Sequence, residues 1–234
     1  MGRCALFVPL FAKAFECSGK PLAIIEVGSS GGFGLLWPHL SYDYGSRGQV
    51  GEKDAPLTLR CRVFGGRGFR IPITLPPVVR QIGLELTPFD LGNDEDTRWL
   101  IALTAPNNLM AQEQVRTAIA LARRDALEVR PGCVLDTLER AFGDLPGDST
   151  CMVFHSLTAH HLQEQGKLEQ YKELLGRLSC RRSFFQATVE WGSYAAEYGK
   201  PMSLRLQCWE MGRTTCINYG FTDPAADGRW VRSV

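Results

Sequence analysis

The chain has 234 residues, with 26 lysines and arginines against 25 acids and a net charge of +1, so no bulk field draws it to nucleic acid or to an anionic membrane. An apolar fraction of 44% and a charged fraction of 22% are ordinary for a globular protein able to build one large core. No run reaches the ~18 apolar residues of a membrane span, and Lys13 and Glu16 interrupt the opening "MGRCALFVPLFAKAFECSGK" too early for a signal peptide.

Residues 4–17 put Leu6, Leu10, Phe11, Ala14 and Phe15 on one helical face that Gly19 closes, so residues 1–20 are expected to be an N-terminal helix. "PLAIIEV" follows, a short apolar run of the kind buried in a parallel sheet. "FGLLW" begins a helix that Pro38 stops, and residues 41–56 read as a polar, glycine-rich loop. Residues 57–73 alternate apolar and polar about Gly65-Gly66-Arg67-Gly68, a β-hairpin signal. Residues 38–79 are therefore expected to form an insertion carrying that hairpin. Its arginines (60, 62, 67 and 70) suit a solvated face, or less often an anion patch.

A second buried strand is expected in "RQIGLEL" (80–86), ending at Glu85 and broken by Pro88. Helices at 94–104 and 109–124, a strand in "ALEVRPG" (126–132) and a helix at 134–142 come next. "TCMVFHS" (150–156) is a fourth strand with His155 at its carboxyl end, followed by a helix over 159–178 and a fifth strand at 183–191. "MSLRLQCWE" and "TTCINYGF" flank Met211-Gly212-Arg213 as a closing hairpin. The alternation predicts one α/β domain over 1–234. Its Rossmann-like, doubly wound, mainly parallel sheet has seven strands, a C-terminal antiparallel hairpin and the inserted hairpin near 57–73. Eight scattered cysteines with no CxxC pair read as reduced, buried small hydrophobes of a cytoplasmic protein.

"IIEVGSSGGFG" (24–34) fits two motifs. As Gly28-x-Ser30-x-Gly32 it matches a nucleophile elbow with Ser30 as the attacking hydroxyl. As an apolar strand ending in Glu26 and a glycine turn, it is a cofactor cradle. The elbow needs earlier strands and an oxyanion-hole loop, and only one helix precedes it, so a serine hydrolase is the weaker reading. A nicotinamide-type fingerprint lacks its third glycine, because position 33 is Phe.

The segments "EVGSSGGFGLLW...YDYG", "IGLELTPFD", "LPGDST" before "VFHS" and the late "DPAADGRWV" resemble a bacterial family of unknown function, domain-of-unknown-function family 2332. Members of that family extend further at the N-terminus, so the chain resembles a shortened member. The motif plan is also similar to that of class I S-adenosylmethionine-dependent methyltransferases, with a seven-stranded sheet, a final hairpin and an E-x-G-x-G-x-G turn. The resemblance implies S-adenosylmethionine as cofactor, held by Glu26, Gly28, Ser30, Gly31, Gly32 and the strand-two acid Glu85. Ser30 replaces a usual glycine, and Cys133 stands where other members carry an Asp.

Glu26 suits a cationic group such as the methionyl amine of the cofactor better than a phosphate. Glu85 suits two ribose hydroxyls, or else is a solvated strand end; it follows Gly32 by 53 residues, against the usual ~20, and Asp90 is a weaker substitute. His155, with Ser156 beside it, is the candidate general base or a loop-holding residue. No carboxylate or cysteine set is expected to complete a metal site with His155 and His160, so none is assigned. Two functions remain: methyl transfer to an unidentified acceptor, or a binding and scaffold module whose cofactor site has decayed.

Overall fold

The computed structural model describes residues 1–66, 69–192, 200–223 and 227–233. "LAIIEV" forms β1 (Leu22–Val27), buried at every position except the half-buried Glu26. A strand apolar on both faces is satisfied only inside a parallel sheet with helices on each side. β1 lies there, parallel to β6 (Val78–Glu85) on one flank and to β8 (Thr150–Ser156) on the other. Beyond them come β7 (Val129–Pro131) and β9 (Phe184–Glu190), both parallel to their neighbours. The order β7-β6-β1-β8-β9 is the 3-2-1-4-5 arrangement of a doubly wound fold, whose crevice opens where strand order reverses, between β1 and β8.

Past β9 the sheet turns antiparallel through β10 (Met202–Glu210), β11 (Arg213–Thr222) and β12 (Trp230–Ser233). Met211 and Gly212 join β10 to β11 with φ of 50° and 76°, the left-handed pair that a tight hairpin turn requires. At the outer edge β12 pairs in parallel with β5 (Arg62–Gly65). Among the described residues the sheet therefore has nine strands where seven were expected.

Two cores flank it. On one face α1 (Cys4–Ser18) and α3 (Leu109–Asp125) pack on Leu22, Ile24, Met152 and Phe154. On the other, α4 (Val134–Gly143), α5 (Ala159–Glu164) and α6 (Leu168–Arg181) cover Ala23, Ile25, Val27 and Val153. The single helix expected over 159–178 is broken at Gly166, whose φ is 67°. α2 (Asp94–Ala102) packs on α3.

The region between the first two parallel strands differs most from expectation. β4 (Thr58–Arg60) does not pair with β5 in a 57–73 hairpin: it pairs with β2 (Ser41–Asp43), which also holds β3 (Gln49–Val50), in a separate three-stranded sheet. Cys61 divides β4 from β5, and the two strands serve different sheets. Arg67 and Gly68, on which the hairpin reading partly rested, lie outside the described residues, as do residues 224–226 of "DPAADGRWV". Residues 41–56 are likewise no plain loop, since Tyr42, Tyr44 and Val50 are buried. They cover the outward side of α1, where the Tyr44 hydroxyl donates to the Ala5 carbonyl at 2.7 Å. That cover explains why α1 is buried from Cys4 to Ala12 rather than along one stripe.

All eight cysteines are free thiols. Cys4, Cys61 and Cys151 are buried as expected, but Cys17, Cys180 and Cys216 are exposed. Among the described residues no helix is long and apolar enough to cross a membrane.

Candidate functional site

β1 delivers Glu26 and the glycine turn to the carboxyl edge of the sheet's centre. At Gly28 (φ 73°) the chain leaves the strand, and its N–H donates to Leu84 O at 2.8 Å, with Ser29 N–H donating to the same oxygen at 3.2 Å. Ser30 takes a left-handed φ of 54°, uncommon for a side-chain-bearing residue. Its N–H donates to Glu85 Oε2 at 2.6 Å, while Glu85 Oε1 accepts from Leu86 N–H at 2.8 Å. Gly32 N–H closes the turn onto Ser29 O at 2.7 Å. The strand-two acid thus reaches the glycine turn despite the 53-residue gap: the intervening chain loops out and returns as β6.

Two of the glycines have internal reasons. A Cβ at Gly28 would run into the Thr158 side chain, and one at Gly34 would run into the Glu26 carboxylate. Leu91 and Leu100 stand 3.4–3.5 Å from where a Gly31 Cβ would be. After the turn the chain forms a seven-residue 3-10 helix, Phe33–His39, with Pro38 inside it, so the helix expected to begin at "FGLLW" is a short 3-10 helix that runs past Pro38 by one residue.

Glu26 sits under this bend. Its Oε2 is buried and has no hydrogen-bond partner. Burial pushes its carboxyl up to about 8, against the opposing charges of the Met1 amine and Arg3. An uncompensated buried carboxylate is costly, and protonation is the usual relief.

The β8/β9 side of the same edge is built differently. His155 Nδ1 lies 2.8 Å from Glu190 Oε1, and both side chains are almost fully buried. Gln186 Nε2 lies 3.1 Å from His155 Nε2, and the Gln186 carbonyl oxygen accepts from Trp209 Nε1–H at 2.8 Å. That chain orients Gln186 to donate its amide hydrogen, which places the imidazole proton on Nδ1, facing Glu190. Glu190 Oε1 also accepts from Thr158 N–H at 2.8 Å and Ala159 N–H at 3.0 Å. Burial works to raise the Glu190 carboxyl, but the His155 and amide hydrogen bonds outweigh it and hold it below the ordinary range. The loop so anchored carries Leu157 at φ 57° and sets the Thr158 hydroxyl 3.1 Å from Val27 O, over the glycine turn.

Of the residues expected to form a site, Glu26, Gly28, Ser30, Gly31, Gly32 and Glu85 converge on one bend. His155 stands on the adjacent strand β8, in a network of its own. Among the described residues no hydrogen bond joins Ser30 to His155; the histidine faces Gln186 and Glu190, so the elbow motif has no triad behind it. Asp90 serves its own loop, accepting from Gly92 N–H at 2.8 Å, and Cys133 precedes α4 without capping it. Sequence reasoning missed Glu190, Gln186 and Thr158. A lone carboxylate and amide inside the apolar run "SFFQATVEW" were the available signal. It also overlooked Glu164, which joins His160 and His161 at the start of α5.

Among the described residues, one open depression lies toward the antiparallel edge of the sheet and another is bounded in part by Leu35 and Leu127, which adjoin Gly32. The first, of about 600 Å³, is lined by residues including Trp191, Phe221, Trp230 and Arg232. The second, of about 310 Å³, also includes Gln81 and Glu128.

A family model described as an uncharacterized protein conserved in bacteria, DUF2332, matches residues 1–232. The chain belongs to that family. The comparison with curated proteins found no match to this chain. Among solved structures, one titled as the bifunctional kinase-methyltransferase WbdD is similar over 80% of this chain and 28% of that one, with 15% identity and a TM-score of 0.37. The chain thus spans under a third of that protein.

Proposed function

We propose that this DUF2332 chain binds S-adenosylmethionine at the bend after β1 and transfers its methyl group to an acceptor. The observation that carries the reading is Glu26: a buried, unpartnered carboxylate oxygen beside a glycine turn, at the carboxyl edge of a central parallel strand. That environment suits a positively charged ligand group and repels phosphate, which argues against a dinucleotide. In this reading Glu26 holds the methionyl amino group, and Glu85 accepts from ribose hydroxyls on lone pairs its two amide contacts leave open. When bound, the cofactor supplies an electrophilic methyl group whose transfer depends on alignment more than on proton movement. His155 then enters as a positioning residue: it holds Glu190, and Glu190 holds the loop that bounds the turn.

A second reading, a scaffold with a decayed site, is favoured by one specific observation. The turn's amides at 28, 29, 30 and 32 are spent within the protein, and Thr158 is seated on Gly28. Isothermal titration of the folded chain with S-adenosylmethionine and with its demethylated product separates the two. One-to-one binding of both, weakened in Glu26→Gln, is expected for the methyltransferase. Silence with both ligands at sub-millimolar concentration leaves the scaffold.

A further inference from the structure

A second group of side chains at the same edge belongs to neither the glycine turn nor the His155 network. α5 opens directly after Thr158 and presents His160, His161 and Glu164. One ring nitrogen from each histidine and a Glu164 carboxylate oxygen all lie within 4.8 Å of one another. His161 Nδ1 stands 3.5 Å from Glu164 Oε2. The two imidazoles, though consecutive in sequence, have ring centroids 3.7 Å apart and tilted by 40°, where neighbours on a helix ordinarily diverge. His160 is 5% exposed and its Nδ1 is buried without a hydrogen-bond partner; the Trp191 ring meets it edge-on at 5.0 Å.

An ion pair between His161 and Glu164 accounts for two of these residues and leaves the third unexplained. Nothing in that pair turns His160 toward His161 or compensates its orphaned nitrogen. A cation shared with His161 and Glu164 accounts for the turn of His160 toward them. We infer that His160, His161 and Glu164 form a binding site for one divalent transition-metal ion, with zinc as the best-suited occupant.

The donor set is two imidazoles and one carboxylate, a set that zinc and the neighbouring first-row ions favour over magnesium or calcium. Bonds of ~2.0–2.2 Å place the donors of a tetrahedral site ~3.3 Å apart. The cluster must therefore tighten on loading. Its two outer members can do so, since the His161 and Glu164 side chains are 63% and 60% exposed, while His160 is held in place by its burial. Three protein donors leave at least one coordination position open, the pattern of a site that also receives water or a substrate group rather than a closed structural clamp. Because α5 follows directly on Thr158, such an ion is joined through the chain to the loop whose hydroxyl reaches Val27 O beside the proposed cofactor turn. The site does not depend on that reading: metal binding is measurable whether or not S-adenosylmethionine binds.

The test is a titration of the full, untagged chain with cobalt(II), followed by its visible absorption, and then displacement by zinc. Three proteins are compared: the unaltered chain, His161→Ala and Glu164→Gln. Both substitutions fall on exposed positions, so folding, checked by circular dichroism, is retained. The expected result is one cobalt ion per chain, ligand-field bands without the near-ultraviolet thiolate band, and a weakening of more than ~10-fold in each variant. No saturable binding would overturn the inference. So would binding that both variants leave unchanged, or a thiolate band showing that exposed cysteines hold the ion.

Discussion

Glu26 and Glu190 each bury a carboxylate oxygen at the carboxyl edge of the same parallel sheet, one on β1 and the other two strands away on β9. Their environments push them in opposite directions. Glu190 gives one oxygen to an imidazole and two backbone amides and is held ionised. Glu26 has a buried oxygen with no partner and is pushed up to about 8. Burial is common to both, so burial alone marks neither as functional. Each also keeps a buried Oε2 without a partner. What separates them is the other oxygen. Glu190 Oε1 is met by an imidazole and two amides and organises a loop. Among the described residues Glu26 receives no hydrogen bond and is opposed only by the charges of the Met1 amine and Arg3, the open state that a ligand site shares with it.

The largest effect is expected at the hydrogen-bonded carboxylate. Glu190→Ala removes the acceptor of three donors and strands a buried imidazole, and should cost ~3–5 kcal/mol, read from urea unfolding. A loss under ~1 kcal/mol would mean the network is not the anchor described. Next, Gly28→Ala places a methyl group against Thr158 at a left-handed φ, for a loss of ~2 kcal/mol. Adding Thr158→Ala should recover the steric part and leave the backbone part; no recovery would break the claim that this loop is seated on the turn.

The two carboxylates also set opposite pH slopes. Glu26 binds its proton more tightly when folded, so its contribution falls as pH rises from the ordinary 4.5 toward about 8. Glu190 behaves in the reverse sense, losing stability as pH drops below 4.5. Glu26→Gln should therefore match the unaltered chain near pH 4.5 and exceed it above pH 8, by ~1–2 kcal/mol after allowance for partial exposure. Equal midpoints at both pH values would place Glu26 with a partner. The smallest effect belongs to Glu85→Gln, which keeps an acceptor for Ser30 N–H but loses its charge, at ~0.5–1.5 kcal/mol.

The parallel core was legible because its signals are local. "PLAIIEV", "RQIGLEL" and "TCMVFHS" are short apolar runs with the length and flanks of buried strands, and all three became adjacent strands. The bend at residues 28–32 was legible for the same reason. The edge strands were not: β5 and β12 pair across 168 residues, as Trp230 with Arg62, and nothing in either segment names its partner. Residues 57–73 carried a real turn signature, but alternation cannot say which sheet a strand joins. Tyr42 and Tyr44 were hidden among polar neighbours, although their spacing of two is a strand's. The glycines were half misread: at 28 and 34 they make room for Thr158 and Glu26, which no one-dimensional pattern announces. Glu190 and His155 lie 35 residues apart in sequence and meet only because β8 and β9 are neighbours.

The most direct measurement is the titration of the Glu26 side-chain carboxyl by carbon-13 NMR, with Glu26→Gln to assign the resonance, in the absence and presence of S-adenosylmethionine. A midpoint near 8 in the free protein, falling toward the ordinary carboxylate range once the ligand is added, is the predicted outcome. A midpoint already near 4.5 in the free protein, or one the ligand leaves unmoved, would contradict the account.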